Sequence, residues 1–429
     1  MNTLHRSDGP WRAAVLTLLV ASLGVGACAS AQTSGPWSQF GGPNRNFMVD
    51  NSTPLADEWP DAGPRQLWKR SLGDGYSTIA VDGPRLYTMF RNRGEDDKPT
   101  ADEIVTCLDA KTGQTLWEYS YKAPALEHQN SSFGWGPNPT PTIADNRVFT
   151  AGFTGIMHCL DKNTGKVLWS HNLATEFKCK PGTFGYSVSP TVYKDTVIML
   201  SGPDGNAVIA FNQNDGSVAW KKHDFKPVHC SPLMIHFNGQ DQLICLMDET
   251  AVAVDPNDGT LLWQHPMKNA SNISTPVWGD DGLLFCSSAY DSGSRAIKLT
   301  ATGSQTTPEE IWYTRKIRIH FGNAIRLGDY VYCSSGQDGP AFLSCINVKT
   351  GKIAWRKRGF AKATCLYADS KIIWLDEDGK LALTKVSPDG LDVLSQCKIS
   401  DTRCWSAPTL VGTTLYVRDR EHIMALDLG

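Results

Sequence analysis

Short apolar, β-rich runs separated by polar turns recur along the chain, and one hairpin pattern organises them. LDAKTGQTLW at 108–117 returns as LDKNTGKVLW at 160–169, FNQNDGSVAW at 211–220, VDPNDGTLLW at 254–263 and INVKTGKIAW at 346–355. In each copy an apolar strand end enters a polar turn. The turn glycine (Gly113, Gly165, Gly216, Gly259, Gly351) supplies positive φ, and a tryptophan follows four residues later on the returning strand. Two degenerate copies fill the gaps: Gly303 precedes Trp312 across an insertion, and Gly390 precedes Leu394 where the tryptophan would stand.

Upstream of each hairpin lies a second recurrent element, a small or hydroxyl residue often followed by proline and then a short strand. It reads Thr140-Pro141, Ser189-Pro190, Ser231-Pro232, Thr275-Pro276 and Ala407-Pro408, with Thr78-Ile79, Asn323-Ala324 and Thr364-Cys365 at the same offset. Proline suits an innermost strand, whose inner edge has no neighbour to receive an N–H. These elements define eight units. The spacing agrees: Trp68, Trp117, Trp169, Trp220, Trp263, Trp312, Trp355 and Leu394 are 49, 52, 51, 43, 49, 43 and 39 residues apart, and about 40 to 50 residues accommodate a four-stranded propeller blade. The last unit stops at Gly429 without an outer strand, while residues 65–72, containing Trp68, read as an outer strand with no unit before it. Joining the two closes the ring and removes the sheet edges. The fold expected is all-β, an eight-bladed propeller of four-stranded antiparallel blades over residues 65–429, closed by the N-terminal strand.

Composition narrows the function classes. In 429 residues, 41 Lys and Arg against 44 Asp and Glu leave a formal charge of -3, so no basic field exists to hold nucleic acid. Residues 1–31 carry Arg6 and Arg12 and then an apolar stretch ending in small residues, the layout of a secretory signal rather than a membrane span. Ala29-Ser30-Ala31 suits ordinary signal cleavage, whereas Val25-Gly26-Ala27-Cys28 resembles a lipobox that would anchor the chain through a lipid on Cys28. Both routes stay open, and the chain is expected to be exported, periplasmic or extracellular. Residues 32–64 form a leader.

Twelve cysteines leave eleven beyond Cys28, so at least one thiol stays unpaired within a monomer. Cys245, Cys286 and Cys333 hold one repeat offset and Cys107, Cys159 and Cys345 another; equivalent points on adjacent blades are too far apart to bond, so these read as small buried hydrophobes. Cys397 and Cys404 flank one connection and are a candidate disulfide.

The hairpins and the Ser/Thr-x-Pro strands resemble the pyrroloquinoline-quinone-type (PQQ-like) repeat family of β-propellers from about Trp37 to Gly429. The leader WSQFGGPNR at 37–45 and the closing LYVRDRE at 415–421 resemble, more narrowly, secreted PQQ-like repeat proteins of environmental bacteria. That family includes quinoprotein dehydrogenases and cofactor-free scaffolds, among them the propeller lipoprotein of the outer-membrane barrel-assembly machinery, so fold does not fix function. The resemblance allows PQQ with calcium as a cofactor. Quinoprotein alcohol dehydrogenases, however, carry a disulfide between adjacent cysteines over the quinone, acidic and amide ligands for calcium, and long insertions. No two cysteines are adjacent here.

The repeat tryptophans recur once per blade, which marks them as packing between blades rather than cofactor stacking. Asp109, Asp161 and Asp255 read as turn acceptors. The doublets His158-Cys159 and His229-Cys230 cannot chelate one ion as units, because neighbouring strand residues point to opposite faces. No hydrolytic, nucleotide or paired C-x-x-C motif occurs. A ligand would find the channel mouth, where residues three before the proline position converge: Tyr76, Asn138, Ser187, His229, Ile273, Phe321, Lys362 and Trp405. Arg418 and Arg420, two apart on one strand, are placed on one face there. The reading is a non-catalytic, monomeric exported scaffold that binds protein or extracellular polymer without a cofactor; its alternative is a PQQ- and calcium-dependent dehydrogenase of alcohols or sugars.

Overall fold

The computed structural model describes residues 37–94, 100–267, 273–290, 292–337 and 339–429; the signal segment with Cys28 lies outside them. Among the described residues, 32 strands form eight four-stranded antiparallel sheets, each a blade. Blade one runs from Ala80–Asp82 through Arg85–Phe90 and Asp102–Asp109 to Thr115–Lys122. Blades two to seven follow in chain order at 142–172, 191–222, 233–266, 277–314, 324–357 and 363–398. Blade eight takes three strands from 409–427 and its outer strand from Arg65–Ser71, which pairs antiparallel with His422–Asp427 and so closes the ring.

Each repeat tryptophan packs across a blade boundary. Trp68, Trp117, Trp169 and Trp312 donate their indole N–H to the carbonyls of Ala110, Lys162, Gln213 and Val348 in the following blade's hairpin, at 2.6 to 3.1 Å. Their rings, and that of Trp220, lie on the next blade's turn glycine, where an added Cβ would stand 2.5 to 2.7 Å from the ring. The glycine therefore serves twice, giving the turn its positive φ and admitting the neighbour's indole. Asp109 and Asp161 accept N–H bonds from the residues two and three onward, and Asp255 from Asn257, as turn residues do.

Where the hairpin departs from the pattern, so does the docking. In blade five Gly293–Thr302 and Gln305–Thr314 form a longer hairpin, and Trp263 bonds Gln242 within its own blade instead. A β-bulge lies just before the tryptophan in every outer strand that carries one. In blade seven that bulge leaves Leu394 as the extra residue and puts Ser395, not Leu394, in the tryptophan register. Trp59 of the leader packs there, its backbone N–H on Ser395 Oγ at 2.9 Å and its ring against the core beside Leu394 and Cys397.

The candidate disulfide does not form. Cys397 and Cys404 are both free: Cys397 Sγ faces Gly63 of the leader, and Cys404 is buried in the core shared by blades seven, eight and one. The six cysteines at repeat offsets are buried and free, as small core hydrophobes.

The leader crosses the channel at one end. Trp37 and Ser38 accept N–H bonds from Val81 and Ile143 of blades one and two, at 2.9 and 2.8 Å. Phe47 and Val49 bracket Tyr367 of blade seven with two backbone bonds of 2.9 Å, and Ala56 reaches Leu428 of blade eight at 2.8 Å. Between them Arg45, buried, donates to the Pro190 and Pro232 carbonyls of the segments entering blades three and four and to Gln39 Oε1 at 3.0 Å. The unpaired edges of innermost strands thus receive partners from the leader.

Candidate functional site

Above the leader the segments that lead into the inner strands build two stacked rings. The lower ring is the residues before the proline position, and its hydroxyls tie blade to blade. Thr78 N–H donates to Thr140 Oγ1 at 3.2 Å, and Thr140 and Ser189 N–H donate to Ser189 and Ser231 Oγ at 3.0 Å. Asn323 performs the same task between blades six and seven, holding Cys365 N–H and carbonyl at 2.9 and 2.8 Å. The preference for Ser, Thr and Asn at this offset follows from these bonds, which satisfy buried backbone donors.

The upper ring lies two residues earlier. Tyr76, Asn138, Ser187, His229, Ile273, Phe321 and Trp405 all line one cavity of about 390 Å³, whose floor includes Phe40 and Phe47 of the leader. Lys362, the eighth, stands over the Phe321 and Trp405 rings at 5.9 Å, with its ammonium 3.4 Å from Glu377.

Aromatic and polar residues segregate within the cavity. Trp405 is the centre of the aromatic half, stacked with Phe321 (4.7 Å, 27°), Tyr76 (5.2 Å, 30°) and Phe133 (5.5 Å, 28°), and anchored by its indole N–H on Glu377 Oε2 at 2.9 Å. Arg403 lies over Trp405 at 4.8 Å. Burial pushes the Tyr76 phenol up to about 12, so it stays protonated. The polar half belongs to blades two to four: Asn138 Nδ2 donates to Ser187 Oγ at 3.1 Å, and His229 Nδ1 lies 3.1 Å from the same oxygen. Burial lowers the His229 pKa, which favours the neutral imidazole.

The arginine pair is corrected. Arg418 ends its strand 1% exposed and donates to the carbonyls of Ser77 (3.2 Å), Met89 (2.7 Å) and Gly73 (3.2 Å), locking blade eight to blade one. A guanidinium with five donors can satisfy several buried carbonyls at once, which is why it sits inside the wall. Arg420 lies beyond the strand and pairs with Asp74 at 2.6 Å. The two do not form one face.

Sequence reasoning missed the residues that overhang the cavity. Phe133, Phe184 and Tyr290 line it from connections and are 38%, 40% and 46% exposed. The first two loops are clamped by Phe153, whose ring fills the space a Cβ would need at Gly136 and Gly185. Phe153 is in turn held by its N–H on Glu103 Oε1 at 2.9 Å, within a buried group that joins Glu103 to Arg91 at 2.9 Å and to the Tyr121 hydroxyl at 2.5 Å. The legible signal was an aromatic residue among glycines, in SFGWG at 132–136 and GTFG at 182–185. Of the doublets, His158 turns toward Tyr119 and Tyr121 of blade one while Cys159 turns toward blade three, so this one is split between faces.

Comparison with known proteins then places the architecture. A family model described as "Outer membrane protein assembly factor BamB" matches residues 101–357. The chain belongs to this family of PQQ-like repeat propellers. Within the family, the outer membrane protein assembly factor BamB of Burkholderia pseudomallei is 23% identical over 378 residues, 76% of this chain and 89% of that one. Quinohemoprotein alcohol dehydrogenase ADH IIB of Pseudomonas putida is 24% identical over 261 residues, 58% of this chain but 30% of its own length. Among solved structures, BamB from Moraxella catarrhalis superposes with a TM-score of 0.57 at 16% identity, covering 85% of this chain and 97% of that chain. Quinohemoprotein alcohol dehydrogenase from Comamonas testosteroni does so with 0.67 at 13%, covering 93% and 81%. At such identities the superpositions establish the fold alone, and function rests on the chemistry of the site.

Proposed function

We propose that this chain is an exported, non-catalytic binding propeller of the cell envelope, which engages a protein or extracellular polymer through the mouth of its channel opposite the leader. The observation that carries this reading is the convergence of Phe133, Phe184 and Tyr290, all exposed, on a cavity lined by the segments that lead into the inner strands of several blades. The relatives named as outer membrane protein assembly factors support an envelope role. Among the described residues no helix is long and apolar enough to cross a membrane.

The dehydrogenase reading draws on the likeness to quinohemoprotein alcohol dehydrogenases. The cavity lining does not fit its cofactor. Among the described residues no aspartate or glutamate lines it, so a hard cation finds no carboxylate ligand among them, and each of the eleven described cysteines is free. Purified protein given PQQ and calcium is expected to keep its absorbance and to reduce no dye in the presence of alcohols or sugars. Dye reduction at turnover rates overturns the proposal.

A further inference from the structure

Resting on the mouth as the binding face, we infer that its occupant is a neutral saccharide, a sugar ring or chain end of an uncharged glycan laid against the aromatic half and hydrogen-bonded by the polar half. Eleven large hydrophobic side chains are exposed among the described residues, and four of them are aromatic. Three of those four, Phe133, Phe184 and Tyr290, stand around this one cavity. Most of the aliphatic ones sit beside the outer-strand bulges, one to a blade (Leu67, Leu116, Leu168), and form no common patch.

The charge pattern removes ionic ligands. A cation would seek an aromatic cage with a carboxylate, but no carboxylate lines the cavity among the described residues, and Lys362 and Arg403 already lie over the Trp405 ring. An anion would seek a cation in the lining, yet no lysine or arginine lines the cavity among the described residues, and of the cations beside it Lys362 faces Glu377, Arg420 faces Asp74 and Arg403 is stacked over Trp405.

Main-chain recognition of a peptide is also poorly served. The backbone N–H groups of Tyr76 and Ser77 both go to the Pro137 carbonyl at 2.8 and 3.0 Å, and those of Thr140 and Ser189 are taken by the hydroxyl ring. What remains are side-chain groups that suit hydroxyls. Ser189 and Ser231 Oγ accept N–H bonds and keep their own hydrogens to donate. Thr275 Oγ1 lines the cavity, buried and without a partner among the described residues. Stacked rings on one side with neutral amide, imidazole and hydroxyl groups on the other match the apolar face and hydroxyl edge of a pyranose.

The test is an array of neutral and charged oligosaccharides probed with the purified chain, followed by calorimetric titration of the best neutral hit. Binding should be insensitive to salt and weaken about tenfold or more in Phe133→Ala or Phe184→Ala. Leu168→Ala, on the rim, should bind as the parent does, and unchanged melting curves guard against misfolding. Absence of any neutral hit overturns the inference, as does affinity that falls with salt or ignores both ring variants. A protein partner lost from envelope extracts on Phe184→Ala would overturn the saccharide while keeping the mouth as the binding face. Dye reduction with PQQ would overturn both.

Discussion

The two ends of the channel are built from the same inner strands and end in opposite states. At the leader end, backbone meets backbone: Trp37, Ser38, Phe47, Val49 and Ala56 take up donors and acceptors of blades one, two, seven and eight, and Arg45 satisfies two further carbonyls. At the mouth, backbone groups are consumed locally by Pro137 and the hydroxyl ring, and the groups left over belong to side chains. One end is thereby tied to the blades by backbone hydrogen bonds and the other keeps exposed rings and spare hydroxyls. In a ring of near-identical repeats, the proposed binding face arises where the connections between blades, and not the blades themselves, differ.

The contrast can be broken most forcefully at the leader end. Arg45→Ala deletes a buried guanidinium, pushed down to about 10 by burial, and strands the Pro190 and Pro232 carbonyls. A loss of about 3 kcal/mol is expected in chemical denaturation; a loss below about 0.5 kcal/mol would mean that the leader is an accessory.

Acid should reach the mouth side first. His158 packs 4.4 Å from the Tyr121 ring that helps to hold Glu103 and Phe153, and burial pushes its pKa down to about 4. The unfolded chain takes up this proton near pH 6.5, so stability falls as pH drops from there toward 4. In His158→Phe that slope should flatten, by about 2 to 3 kcal/mol at the acid end. Parallel pH profiles for the two proteins would remove His158 from the support of the wall.

Blade contacts common to both ends make a third measurement. Gly165→Ala puts a Cβ 2.5 Å from the Trp117 ring at φ +71°, and should cost about 2 kcal/mol without changing which end binds. The smallest effect sharpens the comparison most: Phe184→Ala should leave stability within about 0.5 kcal/mol, as an exposed position does, and any larger drop in melting would make that ring structural.

Much of this was readable in the chain. The hairpin glycine, its tryptophan and the small residue before proline each mark one strand register, because each answers a contact repeated around the ring. The upper ring followed from the same offset, and seven of its eight residues meet in the cavity. Two readings failed for one shared reason. Arg418 and Leu394 lie in blades eight and seven, where the leader and the closing strand enter and replace the standard neighbours. A repeat pattern gives the environment of a position only while the adjacent unit is another repeat.

Period, blade number, closure and the inner offset facing the channel were determined by the sequence alone, since they rest on local hydrogen bonding and on the alternation of side chains along strands. Which end of the channel the leader crosses, which arginine is buried in the wall, and that Phe133, Phe184 and Tyr290 share one cavity were decided by the tertiary structure. Those facts depend on where segments far apart in the chain come to rest against one another, and no local spacing records that.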